Sequence, residues 1–121
     1  MPAPAPRIVL PALRIAVGAG ALAAPQLIEP VLGLKMRGDA AALFMARLFG
    51  ARDVLLGVGA LTAGPAGKPL WFKLGLACDA ADAASGLLAS RDGAPKRAVA
   101  FSLATALGAV GLGIAALSAG D

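Results

Sequence analysis

The amino-acid sequence predicts an all-α fold: an integral membrane bundle of four transmembrane helices, formed by a single domain over residues 1–121. Hydrophobic residues make up 59% of the chain and charged residues only 15%, and the mean hydropathy is +0.80. A soluble domain of this size needs more polar side chains to cover its exterior. Four apolar stretches also approach the roughly 20 residues that cross a bilayer. Lipid is therefore the predicted solvent of the exterior.

The first apolar stretch covers residues 8–24 and ends before Pro25. We interpret it as a membrane span and not as a cleaved signal peptide, because Arg14 lies inside it and three similar stretches follow. The second stretch covers residues 40–63, after a connection that carries the charged segment 35–39. Both stretches are long enough for a helix that crosses most of the hydrocarbon.

The third and fourth stretches cover residues 70–89 and 98–117. Turn-forming residues at 64–69 and 90–97 separate the spans, and such short connections predict antiparallel neighbours. The first and third connections carry more basic residues than the opposite side, which places both termini outside the cytoplasm by the positive-inside rule. The excess is small, so dual insertion stays open as an alternative.

Charge and composition also exclude several classes of function. The net charge is +4, but the basic residues are scattered between apolar runs, which is typical of loop and interface positions and not of a nucleic-acid surface. The chain has no histidine, and its single cysteine, Cys78, excludes an internal disulfide. We expect no metal, no cofactor and no nucleic-acid partner. The expected surroundings are membrane lipid, in a multi-pass protein of the plasma membrane.

Charged residues in the middle of two spans are the most informative feature of the sequence. Gly75, Asp79, Asp82 and Gly86 follow the spacing of one helix face, so both carboxylates project from a strip of small residues in the third span. That face is predicted to turn toward protein, because an unpaired charge at mid-membrane costs roughly 3 kcal/mol on insertion scales.

Three arginines and three aspartates within the spans balance in charge. They are Arg14, Arg47, Arg52, Asp53, Asp79 and Asp82. Depth along antiparallel helices predicts a pair between Arg47 and Asp82, with Asp53, Asp79 and Arg14 in a more central or outer layer. Arg52 points away from Arg47 on a helical wheel, toward the first span, the fourth span or an oligomer interface.

Small residues form strips on two further spans. Ala104, Gly108, Gly111 and Ala115 share one face of the fourth span, which suits close approach of helices in lipid. Arg14, Gly18 and Ala21 form a similar strip on the first span. Both strips predict helix packing and no chemistry.

The segment Arg47-Leu-Phe-Gly-Ala-Arg-Asp53, followed by Asp79 and Asp82, resembles small four-helix bacterial membrane proteins that include the DoxX-like group. The resemblance covers most of the chain, although it rests mainly on the Gly-Ala-Arg-Asp segment and the hydropathy pattern. It implies a four-span bundle in a bacterial plasma membrane. It supplies neither a substrate nor a catalytic residue.

The first functional hypothesis is a membrane-embedded site that binds a hydrophobic small molecule and, in its catalytic form, isomerises or cyclises it by acid–base chemistry. Two neighbouring carboxylates can retain a proton, which provides a donor without histidine. The candidate acid–base groups are Asp53, Asp79 and Asp82. The candidate ligand-binding residues are Arg14, Arg47, Arg52 and Cys78, and Cys78 lacks a neighbouring base that would make it a nucleophile.

Three alternatives stay open at the level of sequence. One is a proton- or ion-coupled transporter that acts as a homo-oligomer, because intramembrane carboxylates commonly carry protons. Another is an accessory subunit whose charged face docks a second membrane protein. In the third, the ion pairs only fix the register of the helices. Enzymatic and non-enzymatic functions are both compatible with the residues.

Overall fold

The computed structural model describes residues 5–118, except for the side chains of residues 31 and 32. Within that range the chain is helical and contains no strand, which confirms the predicted all-α fold with four long helices. Residues 1–4 and 119–121 of the predicted domain lie outside the described residues. The helices are α1 (Ala5–Ala23), a 3₁₀ turn (Pro25–Ile28), α2 (Glu29–Leu32), α3 (Ala40–Thr62), α4 (Lys68–Arg91) and α5 (Lys96–Ser118).

Each long helix covers one of the four predicted apolar stretches, and the ends differ by three residues at most. Local signals set these ends. The side chain of Asp39 caps α3 by accepting a hydrogen bond of 3.0 Å from the amide of Ala42. Pro69 lies in the first turn of α4, where its missing amide hydrogen is not needed. Turn-forming residues in the sequence therefore predicted the ends of the long helices to within three residues.

Basic side chains satisfy carbonyl groups at the carboxyl ends of the helices. Arg47 Nε donates to the carbonyl of Leu22 at the end of α1, and Lys68 Nζ donates to the carbonyl of Ala60 near the end of α3. Arg7 Nε donates in the same way to Ala116 in α5. Such carbonyls have no partner within their own helix, and a cation there also interacts favourably with the negative end of the helix dipole. Several basic residues of this chain thus serve its own helix ends.

The connections α1–α3 and α4–α5 lie at the same end of the molecule. Arg97, in the first turn of α5, donates a hydrogen bond of 2.9 Å from Nη1 to the carbonyl of Pro30. The carboxylate of Glu29 accepts hydrogen bonds from the amides of Met36 and Arg37, which folds the first connection against this end. Adjacent long helices are consequently antiparallel, as their short connections predicted.

The four long helices associate as two close pairs, α1 with α3 and α4 with α5, and the two pairs meet more sparsely. Glycines bring α1 and α3 together: a Cβ on Gly18 would lie 2.5 Å from the carbonyl oxygen of Gly50. Ala21 also lies against Gly50, so the small-residue strip on α1 packs as expected. The strip on α5 does not, because a Cβ on Gly108 or Gly111 would meet nothing within 4 Å.

The distribution of apolar side chains is the reverse of that in a soluble domain. The apolar core is small, and its central cluster consists of Leu10, Ala60, Phe72 and Ala116. Large apolar side chains are exposed on all four long helices; examples are Ile8, Leu55, Leu87 and Leu107. Three charged residues, Arg14, Asp53 and Asp79, are buried.

Two of the helices, α1 and α5, are each long and apolar enough to cross a membrane. The helices α3 and α4 have sufficient length, at 23 and 24 residues, but carry more charge. The charges responsible include Arg52 and Asp53 on α3 and Asp79 and Asp82 on α4. Whether α3 and α4 are compatible with a membrane therefore depends on where these four side chains lie.

Candidate functional site: a charged cluster at the wall of an apolar cavity

The innermost contact of the charged cluster joins α1 to α4. Arg14 donates from Nη1 to Asp79 Oδ1 at 3.0 Å and from Nη2 to Oδ2 at 2.5 Å, so the pair is bidentate. Arg14 is 7% exposed and Asp79 is 3% exposed. Gly75, one helical turn before Asp79, leaves the space for the guanidinium, since a Cβ there would lie 2.8 Å from Arg14 Nη2. The sequence of α4 is thus adapted to an arginine from α1.

The second contact joins α3 to α4 and is more accessible. Arg52 donates from Nη1 to Asp82 Oδ1 at 3.0 Å and from Nη2 to Oδ2 at 2.6 Å, again in bidentate geometry. About a third of each side chain is exposed, 33% for Arg52 and 31% for Asp82. The guanidinium of Arg52 also lies over the ring of Phe49, 5.0 Å from its centroid. Asp79 and Asp82 share one face of α4, yet Asp79 contacts α1 and Asp82 contacts α3.

Asp53 lies between these two pairs without forming a bidentate pair of its own. Its Oδ1 is 3.8 Å from Arg14 Nη1 and 3.6 Å from Arg52 Nη2, distances of ion pairs and not of hydrogen bonds. The residue is 6% exposed, and within the described part of the chain Oδ1 accepts no hydrogen bond. Arg52 Nε is likewise buried without a hydrogen-bond partner. Asp53 is thus the least satisfied carboxylate of the cluster.

A partly open cavity of about 1160 Å³ lies between the α1–α3 pair and the α4–α5 pair. Apolar side chains such as Leu13, Met45 and Leu112 form most of its lining. Four charged residues reach it, namely Arg14, Asp53, Asp79 and Asp82. Binding sites for small molecules commonly combine apolar walls with a few converging polar groups, and this cavity is large enough for such a ligand.

Two of the predicted site residues lie outside the cluster and the cavity lining. The pair predicted between Arg47 and Asp82 does not form, because Arg47 is exposed and donates to the carbonyl of Leu22 at 3.2 Å. Asp82 is paired with Arg52 instead. Arg52 therefore faces α4, the third of the four long helices, and not the first or the fourth. Cys78 is half-buried on α4 and is not among the residues that line the cavity.

Some residues of the cavity were not anticipated from the sequence. The hydroxyl-bearing Ser85, Ser102 and Thr105 line it together with the charged residues. Ser102 and Thr105 are three positions apart, so they share one face of α5, and this spacing was a signal available in the sequence. The small residues Ala104 and Gly108 on α5 also line the cavity, and their absence of side-chain bulk helps to create it.

In comparisons with known proteins, no protein-family model, no curated protein and no solved structure matches this chain. The geometry of the cluster and the cavity therefore supplies the functional argument. The described residues form a helical bundle with paired charges inside, an apolar exterior and a large cavity that is lined in part by charged residues.

Proposed function

We propose that this chain is a multi-pass membrane protein in which all four long helices cross the bilayer, and that its cavity binds a hydrophobic small molecule. The observation that carries the proposal is the cavity of about 1160 Å³, which has apolar walls and ends at Arg14, Asp53 and Asp79. The resemblance to the DoxX-like group, with its bacterial plasma membrane, belongs to the same proposal.

The apolar exterior supports four membrane crossings. Large apolar side chains are exposed on α3 and α4 as well as on α1 and α5, including Leu55 at 66% and Leu87 at 59%. Two of the carboxylates on α4 are paired with arginines of other helices: Asp82 pairs with Arg52 and Asp79 pairs with Arg14. Arg47 on α3 and Lys73 on α4 are exposed, and their long side chains can extend toward the interface from positions nearer the helix ends. Charges paired inside a bundle do not contact lipid, so they do not oppose insertion as exposed charges would.

Cysteine labelling in intact membranes tests the crossing of α3 and α4. In a Cys78→Ala background, Ala66→Cys lies between α3 and α4, and Ser90→Cys lies near the far end of α4. We expect a membrane-impermeant maleimide to label these two positions from opposite sides. Ala80→Cys is the matched control, because Ala80 is exposed near the middle of α4 and should be shielded by lipid. Labelling of Ala80→Cys from the aqueous phase would contradict the proposal.

The binding of a small molecule is tested by filling the cavity. Gly108 lines it, and a Cβ there meets nothing within 4 Å, so Gly108→Leu should occupy the cavity without displacing a helix. Gly111→Leu is the control, because Gly111 also faces open space on α5 but does not line the cavity. Purified protein in lipid nanodiscs is titrated with 1-adamantanol as an apolar probe, and empty nanodiscs provide the blank.

We expect 1-adamantanol to bind the unmodified protein and Gly111→Leu equally, and Gly108→Leu more weakly, because the added side chain takes up part of the cavity. Equal binding to all three proteins would place the probe in lipid and overturn the cavity as its site. Mass spectrometry of organic extracts from the same three proteins then identifies any molecule that is retained from the cell.

The catalytic form of this function would depend on Asp53. Asp79 and Asp82 each hold both carboxylate oxygens in bidentate contact with an arginine, whereas Asp53 Oδ1 accepts no hydrogen bond among the described residues. A general acid or base needs an oxygen within reach of its substrate. Conversion of a ligand that survives Asp53→Asn would exclude this role.

A second candidate, proton- or ion-coupled transport by a homo-oligomer, is favoured by the sparse contact between the two helix pairs. Relative movement of such pairs would change access to the cavity between them. Absence of flux of every tested solute in proteoliposomes would contradict it. The accessory-subunit hypothesis required a charged face directed at another protein, and the internal pairing of Arg14 and Arg52 counts against it.

A further inference from the structure

The charged cluster carries one more negative than positive group. Its members are Arg14, Arg52, Asp53, Asp79 and Asp82, so three carboxylates face two guanidinium groups. Each guanidinium is engaged by one carboxylate in bidentate contact, which leaves Asp53 as the third. With all five groups ionised, the cluster has a net charge of −1, and its members Arg14, Asp53 and Asp79 are buried.

The excess charge lies at the wall of the cavity. Asp53 is one of the residues that line the cavity, although it is only 6% exposed. Its Oδ1 accepts no hydrogen bond from the described residues, and the nearest guanidinium nitrogens are 3.6 and 3.8 Å away. A buried carboxylate without a hydrogen bond is costly, and a donor supplied by a ligand would relieve that cost.

We infer that the ligand of this cavity is a lipophilic monocation, a molecule with one ammonium group that donates to Asp53 and an apolar body that fills the space beside it. This inference rests on the proposed function, because it names the chemical class of the molecule that the cavity binds. One positive charge neutralises the cluster, and an N–H donor provides the carboxylate of Asp53 with a hydrogen bond. The excess negative charge and the missing hydrogen bond of Asp53 are thus met by the same group.

The rest of the cavity favours an organic cation over a metal ion. Magnesium and calcium require several oxygen ligands at once, whereas the oxygens of Asp79 and Asp82 already accept hydrogen bonds from arginines. Apolar side chains such as Leu10, Val17 and Leu112 form most of the cavity wall and offer no ligand to a metal. They do offer a binding surface to hydrocarbon, whose burial stabilises a complex in proportion to the area removed from water.

Three small molecules with the same apolar cage and different head groups test the inference. They are 1-aminoadamantane, which is a cation at neutral pH, 1-adamantanol, which is neutral, and 1-adamantanecarboxylate, which is an anion. Calorimetric titration uses the complete chain in nanodiscs of zwitterionic lipid, with empty nanodiscs as the blank. The unmodified protein is expected to bind the amine about tenfold or more tightly than the alcohol, as one charge-assisted hydrogen bond implies, and the carboxylate most weakly.

A charge-neutral variant assigns the preference to one residue. Asp53→Asn keeps the size of the side chain and removes its charge, so the amine and the alcohol should then bind within about twofold of each other. Asp92→Asn is the matched control, because Asp92 is exposed in the α4–α5 connection and its loss changes the charge of the protein equally. This control should keep the preference for the amine.

Failure of the inference is distinguishable from failure of the proposed function. If the alcohol binds as tightly as the amine, and Gly108→Leu blocks both, the cavity is a binding site but not one for cations. Tighter binding of the carboxylate, or a preference for the amine that persists in Asp53→Asn, would also overturn the inference. If none of the three probes binds, the proposed function fails and the inference fails with it. The comparison of probes on the unmodified protein decides the matter even if Asp53→Asn does not fold.

Discussion

Arg14 is the buried arginine of the charged cluster, and it contacts two of the three carboxylates. It forms the bidentate pair with Asp79 and lies 3.8 Å from Asp53. Both partners are buried, so neither can turn to water if the guanidinium is removed. An ion pair of this kind adds little net stability compared with apolar residues, but removal of one partner leaves an uncompensated charge inside the protein.

Arg14→Met should therefore lower the free energy of unfolding by roughly 3–5 kcal/mol, the range for breaking a buried pair. Reversible unfolding in mixed detergent micelles, followed by circular dichroism, measures the change. Arg47→Met is the control, because it also removes an arginine from a long helix. Arg47 is exposed and donates only to a helix-end carbonyl, so its loss should cost less than about 1 kcal/mol. Equal effects of the two substitutions would show that the buried pair has no special weight.

At the same scale, periodicity predicted some of the cluster but not its pairing. The common face of Asp79 and Asp82 follows from their spacing, since a helix fixes the direction of each side chain relative to the next. The partners of these carboxylates depend on which helix lies opposite and on its rotation. Depth alone suggested Arg47 for Asp82, whereas Arg52 is the residue on the face of α3 that meets α4. A single sequence contains no direct signal for that rotation.

At the scale of the elements, close contact between α1 and α3 depends on paired glycines. A Cβ on Gly18 would lie 2.5 Å from the carbonyl oxygen of Gly50 and 2.9 Å from the amide nitrogen of Val54. Both atoms belong to backbone, which cannot move aside as a flexible side chain can. Small residues at such crossings allow helices in lipid to gain van der Waals contact along their length.

Gly18→Ala should separate α1 from α3 and lower the free energy of unfolding by about 1–3 kcal/mol, as overpacking of a close contact does. Gly20→Ala is a matched control two residues away, where a Cβ meets nothing within 4 Å. There the higher helix propensity of alanine should raise stability by up to about 1 kcal/mol. The two substitutions are thus expected to act in opposite directions in the same unfolding measurement. A stabilising effect of Gly18→Ala would contradict the helix contact.

Helix boundaries were predictable because local chemistry determines them. Asp39 caps α3 and Pro69 lies in the first turn of α4, and both act through neighbouring backbone atoms. The role of small residues was harder to predict, since the strips on α1 and α5 look alike in the sequence. Gly18 lies against another backbone, while Gly108 lines a cavity. Whether a small residue packs against another helix or lines a cavity depends on how the two helix pairs are placed relative to each other.

At the scale of the whole molecule, the arrangement combines an apolar exterior with a charged interior. Leu55, Leu87 and Leu107 are exposed, while Arg14 and Asp79 are almost completely buried. In water this arrangement would be unfavourable on both counts, because apolar groups would be hydrated and charges would not. In lipid the exterior is compatible with its solvent, and only the interior charges need compensation, which they largely give one another.

A variant without the cluster separates the role of these charges in folding from their role in binding. Arg14→Met and Arg52→Met are combined with leucine at Asp53, Asp79 and Asp82. Replacement of a complete buried ionic network by apolar residues is often neutral or stabilising by about 1–4 kcal/mol, so we expect this variant to insert and unfold cooperatively with equal or higher stability. Its preference for 1-aminoadamantane over 1-adamantanol should be lost, because no carboxylate of the cluster remains to accept from the ammonium group. Size-exclusion chromatography, detergent unfolding and the probe titration are performed on the same preparation. A variant that inserts as several species, or fails to fold, would show instead that the ion pairs select the register of the helices. A bundle held mainly by contacts between small residues has few other contacts that select one arrangement.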